Sequence, residues 1–436
     1  MNSKQFSVLF LFLCFTVFGQ QKISVEEIYQ GSFRAQGMDK LQSMKNSNQY
    51  TVLNSDRQTR TTQIDLYDYA TLKKIATLID TKDHPELPMI DGYTFNSSEK
   101  IILLACNSNQ IFRHSFTADY YLYNTVNRQL TRLFDFQVQE PIFSADGKKI
   151  AYAKENNLYV YDLETKNSIQ ITSDGKKNSI INGITDWVYE EEFAFVRAFD
   201  WSADSRKLAY IRFDESEVPE FSMSKFGTSL YPKIETFKYP KAGEKNSLVS
   251  LHIYDVAAAA TKEVNLGNYN DFYIARMQWT NDNNVLSAQV LNRHQDNLDL
   301  LFIDGATATA KMVLNEKDKA YVDVTDNLTF LKDNSFIWTS EKDGFNHIYV
   351  YDKNGNLKNQ VTKGNWEVTS YYGFDEKTSA IFYQSTENGS VNRAVYSIGL
   401  NGKNKKALST ETGTNDATFS PNFQYYINTF SSATQP

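Results

Sequence analysis

Along most of the chain, hydrophobic and polar residues alternate in short runs bounded by Asn, Asp, Gly and Ser. Leu158-Tyr159-Val160-Tyr161 is typical. At a period of two, successive side chains fall on opposite faces of a strand, so both faces of the sheet carry packing surface. The runs belong to a larger unit: an aromatic residue, a polar turn, an apolar strand, a second turn and another strand. Phe143-Ser144-Ala145-Asp146-Gly147 leads into Lys149-Ile150-Ala151-Tyr152-Ala153 and, past Asn156-Asn157, into Leu158–Asp162. Trp201-Ser202-Ala203-Asp204-Ser205 leads into Leu208-Ala209-Tyr210-Ile211. Weaker copies begin at Phe95, Trp279, Leu331, Phe374 and Phe419, and the starts lie 43 to 78 residues apart. A four-stranded propeller blade occupies about 40–50 residues, so the wider gaps predict insertions. One such sheet cannot bury both faces alone; a closed ring of sheets can, and it leaves few exposed edges. The pattern therefore predicts an all-β chain: a β-propeller of eight four-stranded blades in one domain over residues 21–436. An array of β-sandwiches is disfavoured by the repeat length and by the absence of Pro- or Gly/Ser-rich linkers.

Two places break the strand period. Ser24-Val25-Glu26-Glu27 has the spacing of a capping box, which predicts a short helix near Glu26–Gln30. Asn182 to Phe193 is the second, where Asp186 is placed to cap a short acidic helix at Glu190, Glu191 and Glu192.

The first residues read as an export signal. Lys4 supplies a positive start, Ser7 to Phe18 an apolar stretch, and Gly19-Gln20-Gln21 a cleavage site, so residues 1–20 are expected to be removed. The apolar stretch falls short of the about 20 residues that span a bilayer, and no other segment resembles a membrane helix. The expected location is the periplasm, the outer surface or the medium. Net charge is −7 with no run of Lys or Arg, which argues against nucleic-acid binding. Without the signal, Cys106 is the only cysteine, so no internal disulfide can form. Its setting in Ile101–Ala105 predicts a buried thiol. The five histidines are scattered without metal-ligand spacing, and no metal or other cofactor is expected.

Chemistry concentrates in Asp186-Trp187-Val188-Tyr189-Glu190-Glu191-Glu192. Three consecutive carboxylates among aromatic residues are costly unless a cation compensates them. A solvated helix start on a surface loop is the plainer reading of such a run.

This segment is similar to the double-glutamate motif of the dipeptidyl peptidase IV family, in the prolyl oligopeptidase group of serine peptidases. The order of neighbouring segments agrees: Asn182-Gly183-Ile184-Thr185 before it, then Trp201-Ser202, Leu208 to Asp214, Val218-Pro219 and Tyr239-Pro240-Lys241-Ala242-Gly243 after it. Upstream, Arg113-His114-Ser115-Phe116 resembles the family's Arg-His-Ser segment. The resemblance covers nearly the whole chain after the signal. It implies that Glu191 and Glu192 clamp the protonated N-terminal amine of a peptide, with Glu190, Asp186, Trp187 and Tyr189 in support. Arg113 would bind the carbonyl oxygen of the peptide's second residue and help neutralise the acidic pair. A carboxylate pair of this kind acts as a ruler, because the amine fixes which bond lies two residues away.

The resemblance further implies an arm over Tyr231 to Tyr254 that contacts a second subunit, the alternative being an ordinary long hairpin. It places catalysis in a separate α/β-hydrolase domain whose nucleophile sits in a Gly-x-Ser-x-Gly turn. No serine here has glycine at both of those positions. No catalytic residue is therefore expected in this chain, which should end near the family's crossing into the hydrolase. The expected function is the substrate-gating, amine-binding propeller of an exported serine dipeptidyl peptidase that releases X-Pro or X-Ala dipeptides. A non-catalytic peptide- or protein-binding propeller is the alternative, and a structural propeller at the cell surface a third.

Overall fold

The Ser-x-Asp turns read from the sequence close as hydrogen-bonded units. Ser144 Oγ donates to Asp146 Oδ1 at 2.6 Å, and the amides of Lys148 and Lys149 donate back to Asp146 and Ser144 at 3.0 Å each. Ser202 and Asp204 repeat the arrangement with Arg206 and Lys207, and Ser420 and Asn422 with Gln424 and Tyr425. Each turn reverses the chain by satisfying its own backbone donors, which is why Ser, Asp and Asn recur there.

The computed structural model describes residues 22–34, 41–56 and 58–435. Residues 41–431 form seven antiparallel blade sheets, six four-stranded and one five-stranded, and a final two-stranded hairpin, with one further hairpin inserted. Blade I runs through Leu41–Ser43, Gln49–Asp56, Thr61–Asp68 and Lys74–Asp80. Blades II to VII follow over residues 90–132, 139–170, 180–263, 272–317, 329–360 and 368–407. Second and third strands are buried, as in Val285–Asn292 and Asn297–Asp304 of blade V. Fourth strands face solvent, as in Ser168–Gln170 and Ala260–Glu263. The core lies between neighbouring sheets: Ile211, Phe213 and Ile253 of blade IV, Ile274 and Leu300 of blade V, and Phe336 and Trp338 of blade VI join one cluster. Each fully buried side chain of this size contributes about 1.5–3 kcal/mol.

The expectation of eight four-stranded blades is corrected to seven. The copy at Phe419 introduces only the hairpin Thr414–Phe419 with Tyr426–Ser431. Counting turn signatures counts hairpins, not completed sheets. This hairpin touches blade VII, where the Asn415 amide donates to the Arg393 carbonyl at 2.9 Å. It also touches blade I, where Ser43 Oγ donates to the Phe419 carbonyl at 3.0 Å and Ile427 packs on Tyr50, Val52 and Tyr69.

Blade IV carries both insertions that matter for the site. Its first strand is split: Ile180–Asn182 and Phe199–Trp201 both pair with Lys207–Asp214, and the chain between them holds a helix. Between its second and third strands, Glu220–Lys225 and Lys233–Lys238 form a projecting two-stranded arm. The arm expected at Tyr231–Tyr254 therefore begins earlier. Tyr254 lies in the blade itself, paired with Leu208 in the strand Leu248–Asp255. Alternating apolar residues do not distinguish a blade strand from an arm strand.

In the N-terminal unit, α1 spans Val25–Gln30. Its capping box is formed: the Glu27 amide donates to Ser24 Oγ at 3.1 Å, and the Ser24 amide to Glu27 Oε2 at 2.9 Å. The expected signal segment, residues 1–20, lies outside the described residues. Among the described residues no helix is long and apolar enough to cross a membrane.

Candidate functional site

The helix in blade IV, α2, spans Trp187–Glu192. Asp186 caps it: the backbone is extended there, and the carboxylate accepts the Tyr189 amide at 3.0 Å and the Ser247 hydroxyl at 2.5 Å. Burial pushes the Asp186 carboxyl up, and the bonds from Ser247 and the helix amides oppose that. Tyr189 pins the helix from below. Its ring packs edge-on against Phe213 at 4.8 Å, and its hydroxyl accepts the Ile274 amide of blade V at 3.0 Å.

With about 100° between successive helical residues, the three glutamates must point in three directions. Glu190 turns inward and is 1% exposed. Its Oε1 accepts the amides of His114 at 2.6 Å and Ser115 at 2.8 Å, while Oε2 is buried without a partner. Glu191 meets Arg113, whose Nε lies 2.8 Å from Glu191 Oε2. The Glu191 side chain is 15% exposed and that of Arg113 70%. Glu192 is exposed at the end of the helix. Arg113 stands on the turn between the second and third strands of blade II, Ile101–Gln110 and Phe116–Asn124. All three glutamates and Arg113 are thus brought to one place from two blades. Arg113 pairs with Glu191 alone, while Glu190 is tied to backbone amides and Glu192 faces solvent, so three acids with one guanidinium leave an excess of negative charge that favours a bound cation.

The sequence had not marked several neighbours. Tyr321 lies near Glu192, and its hydroxyl is pushed up by burial and then by Asp323 and Glu192. Glu140 lies 3.6 Å from Arg197; burial pushes its carboxyl up, Arg197 opposes and Glu190 adds to it. Tyr321, Asp323, Asp326 and Glu341 help line a cleft of about 1160 Å³ between blades V, VI and VII. Ser247 and Tyr239, which hold α2 in place, could have been found only as the short polar and aromatic residues bounding the arm. His347 is fully buried, bonded to Thr362 Oγ1 and the Gly364 carbonyl at 3.0 Å each, and serves packing. Among the described residues, no group of three or more His, Cys, Asp or Glu is arranged to hold a metal ion.

Comparison with known proteins decides the family. The model of the dipeptidyl peptidase IV N-terminal region matches residues 96–436. The chain belongs to this family. The crystal structure of Porphyromonas gingivalis dipeptidyl peptidase 4 superposes with a TM-score of 0.89 at 41% identity, over 95% of this chain and 59% of that one. The dipeptidyl aminopeptidase B of Saccharomyces cerevisiae is 29% identical over 362 residues, 78% of this chain and 44% of its own length. The inactive dipeptidyl peptidase 10 of Mus musculus is 29% identical over 386 residues, 80% and 48% respectively. The chain spans about half the length of the curated relatives it matches, and those relatives include both named peptidases and a protein named inactive.

Proposed function

We propose that this propeller binds the free N-terminal amine of peptides and gates their access in an exported serine dipeptidyl peptidase that releases X-Pro or X-Ala dipeptides. The observation that carries the reading is Glu191. A largely buried carboxylate is held by one exposed guanidinium, beside an exposed Glu192, on a helix whose other acid, Glu190, is tied to the Arg113 loop. A substrate ammonium entering there gains charge-assisted hydrogen bonds, and a blocked amine would leave the carboxylates without that partner. The remaining N–H groups of Arg113 would bind a peptide carbonyl. The nucleophile and its partners would be supplied by a hydrolase domain outside these residues, so this chain alone should not hydrolyse a Gly-Pro chromogenic substrate. Exposed Phe226, Leu230 and Tyr231 at the arm tip support a second copy of the protein as the arm's partner.

The test is calorimetric titration of the chain with a Gly-Pro-initiated peptide and with its N-acetylated form. Binding of the free peptide, about tenfold or more tighter than the acetylated one, is the expected result for one charged hydrogen bond. Equal affinities would sink the amine site. The inactive relative favours a second reading, a propeller that captures peptides without cleavage. Binding without turnover in the whole protein would select it.

A further inference from the structure

Two separate elements build the glutamate–arginine site, and neither is held to the other by strand pairing. The Arg113 turn belongs to blade II and α2 to blade IV, with blade III between them in sequence. The contacts between them named so far are polar and lie within the site. An ion pair whose guanidinium is 70% exposed holds its geometry weakly.

The arm supplies the missing support. Phe237, on its returning strand, packs on Phe112 at 5.5 Å between ring centroids, and Phe112 directly precedes Arg113. Tyr239, two residues on, packs on Trp187 at 4.3 Å. Trp187 is one helical turn before Glu191, so the two lie on the same face of α2. Phe221, from the outgoing strand, completes the cluster against Tyr239 at 5.3 Å and Phe237 at 6.2 Å. The root itself is fixed: Lys238 Nζ donates to the Val218 carbonyl at 2.8 Å, and the Tyr239 amide to the Pro219 carbonyl at 2.9 Å.

We propose that the aromatic root of the arm is a bracket that positions the site, with Phe237 holding the Arg113 turn and Tyr239 holding α2 so that Arg113 and Glu191 stay in register. The inference rests on the amine-binding reading for its consequence, but not for its geometry. Phe237 and Tyr239 are positioning residues; they act through Phe112 and Trp187. Removing the Phe237 ring frees the turn, and the guanidinium must then be ordered again each time a peptide binds. Ordering one long side chain corresponds to about a 3- to 10-fold loss of affinity.

The experiment pairs hydrogen exchange with titration on the whole chain. Phe237→Ala is expected to speed exchange at the His114 and Ser115 amides, which donate to Glu190, while the blade strands exchange as before. The same variant should bind the free-amine peptide about 3- to 10-fold more weakly. Phe237→Tyr should restore both, and Phe226→Ala at the arm tip should change neither. Phe112→Ala removes the same contact from the other side with the arm intact, and should reproduce the effect if Phe237→Ala folds poorly. Unchanged exchange at His114 and Ser115 in both alanine variants would overturn the bracket. If the wild-type chain does not distinguish free from acetylated peptide, the amine site fails, and the exchange data still decide the bracket.

Discussion

Replacing Glu190 should show that this acid is part of the scaffold of the site. Its side chain is 1% exposed and accepts two backbone amides through one oxygen, at 2.6 and 2.8 Å. Hydrogen bonds to a charged acceptor are worth about 1.5–3 kcal/mol each, so Glu190→Ala forfeits about 3–6 kcal/mol gross. Relief of a buried carboxylate whose Oε2 has no partner returns part of that, on the order of 2 kcal/mol. A net loss of about 1–4 kcal/mol remains. Glu190→Gln keeps an acceptor oxygen of the same shape, loses the charge assistance and relieves the charge burial, so its net cost is about 0–1 kcal/mol. Unfolding entropy is about 2.1 cal/mol/K per residue, so over roughly 400 residues a 3 kcal/mol loss lowers Tm by about 4 °C. Urea titration and thermal scans of the three proteins make the comparison. Glu190→Ala as stable as wild type, or Glu190→Gln as damaged as Glu190→Ala, would refute the reasoning.

Burial, with the nearby charges of Asp186 and Asp214 and against the effect of Lys238, pushes the Glu215 carboxyl from 4.5 up to about 7. Between those values the folded chain keeps a proton that the unfolded chain releases. The stabilisation from this group is complete at low pH and is lost as pH rises to about 7. From about pH 5 to 8, wild type should lose up to about 3 kcal/mol relative to Glu215→Gln in urea unfolding, and parallel curves would refute this. Tyr189→Phe leaves the Ile274 amide of blade V without its acceptor and should cost about 1–2 kcal/mol; an unchanged urea midpoint would count against that bond. Cys106 is fully buried and its thiol is pushed up to about 12, so iodoacetamide near pH 8 should label it only after unfolding, as read by intact mass.

Much of the fold was legible because the propeller writes its period in local chemistry. The turns at Phe143, Trp201 and Phe419 are self-contained hydrogen-bonded units, and a self-contained unit can be read from a few residues. The number of complete sheets was not legible, because Phe419 opens a hairpin with the same signature as a full blade. In the site, Asp186 could be read as a cap and the carboxylates as a helical turn, since both follow from local spacing. The directions of the three glutamates could not. They depend on what stands opposite: amides of His114 and Ser115 for Glu190, a guanidinium for Glu191 and solvent for Glu192. Ser247 and the aromatic root of the arm were missed for the same reason, since their partners lie about 50 to 125 residues away in sequence and meet them only through the ring.

The central claim, that Glu191 receives a peptide's N-terminal ammonium, is tested most directly by a double cycle. Wild type and Glu191→Gln are each titrated with a free and an N-acetylated Gly-Pro-initiated peptide, and the four affinities give one coupling energy. A coupling of about 1.5–3 kcal/mol is predicted, because acetylation should matter far less once the carboxylate is gone. A coupling within about 0.5 kcal/mol of zero would contradict it, since the amine and Glu191 would then act independently.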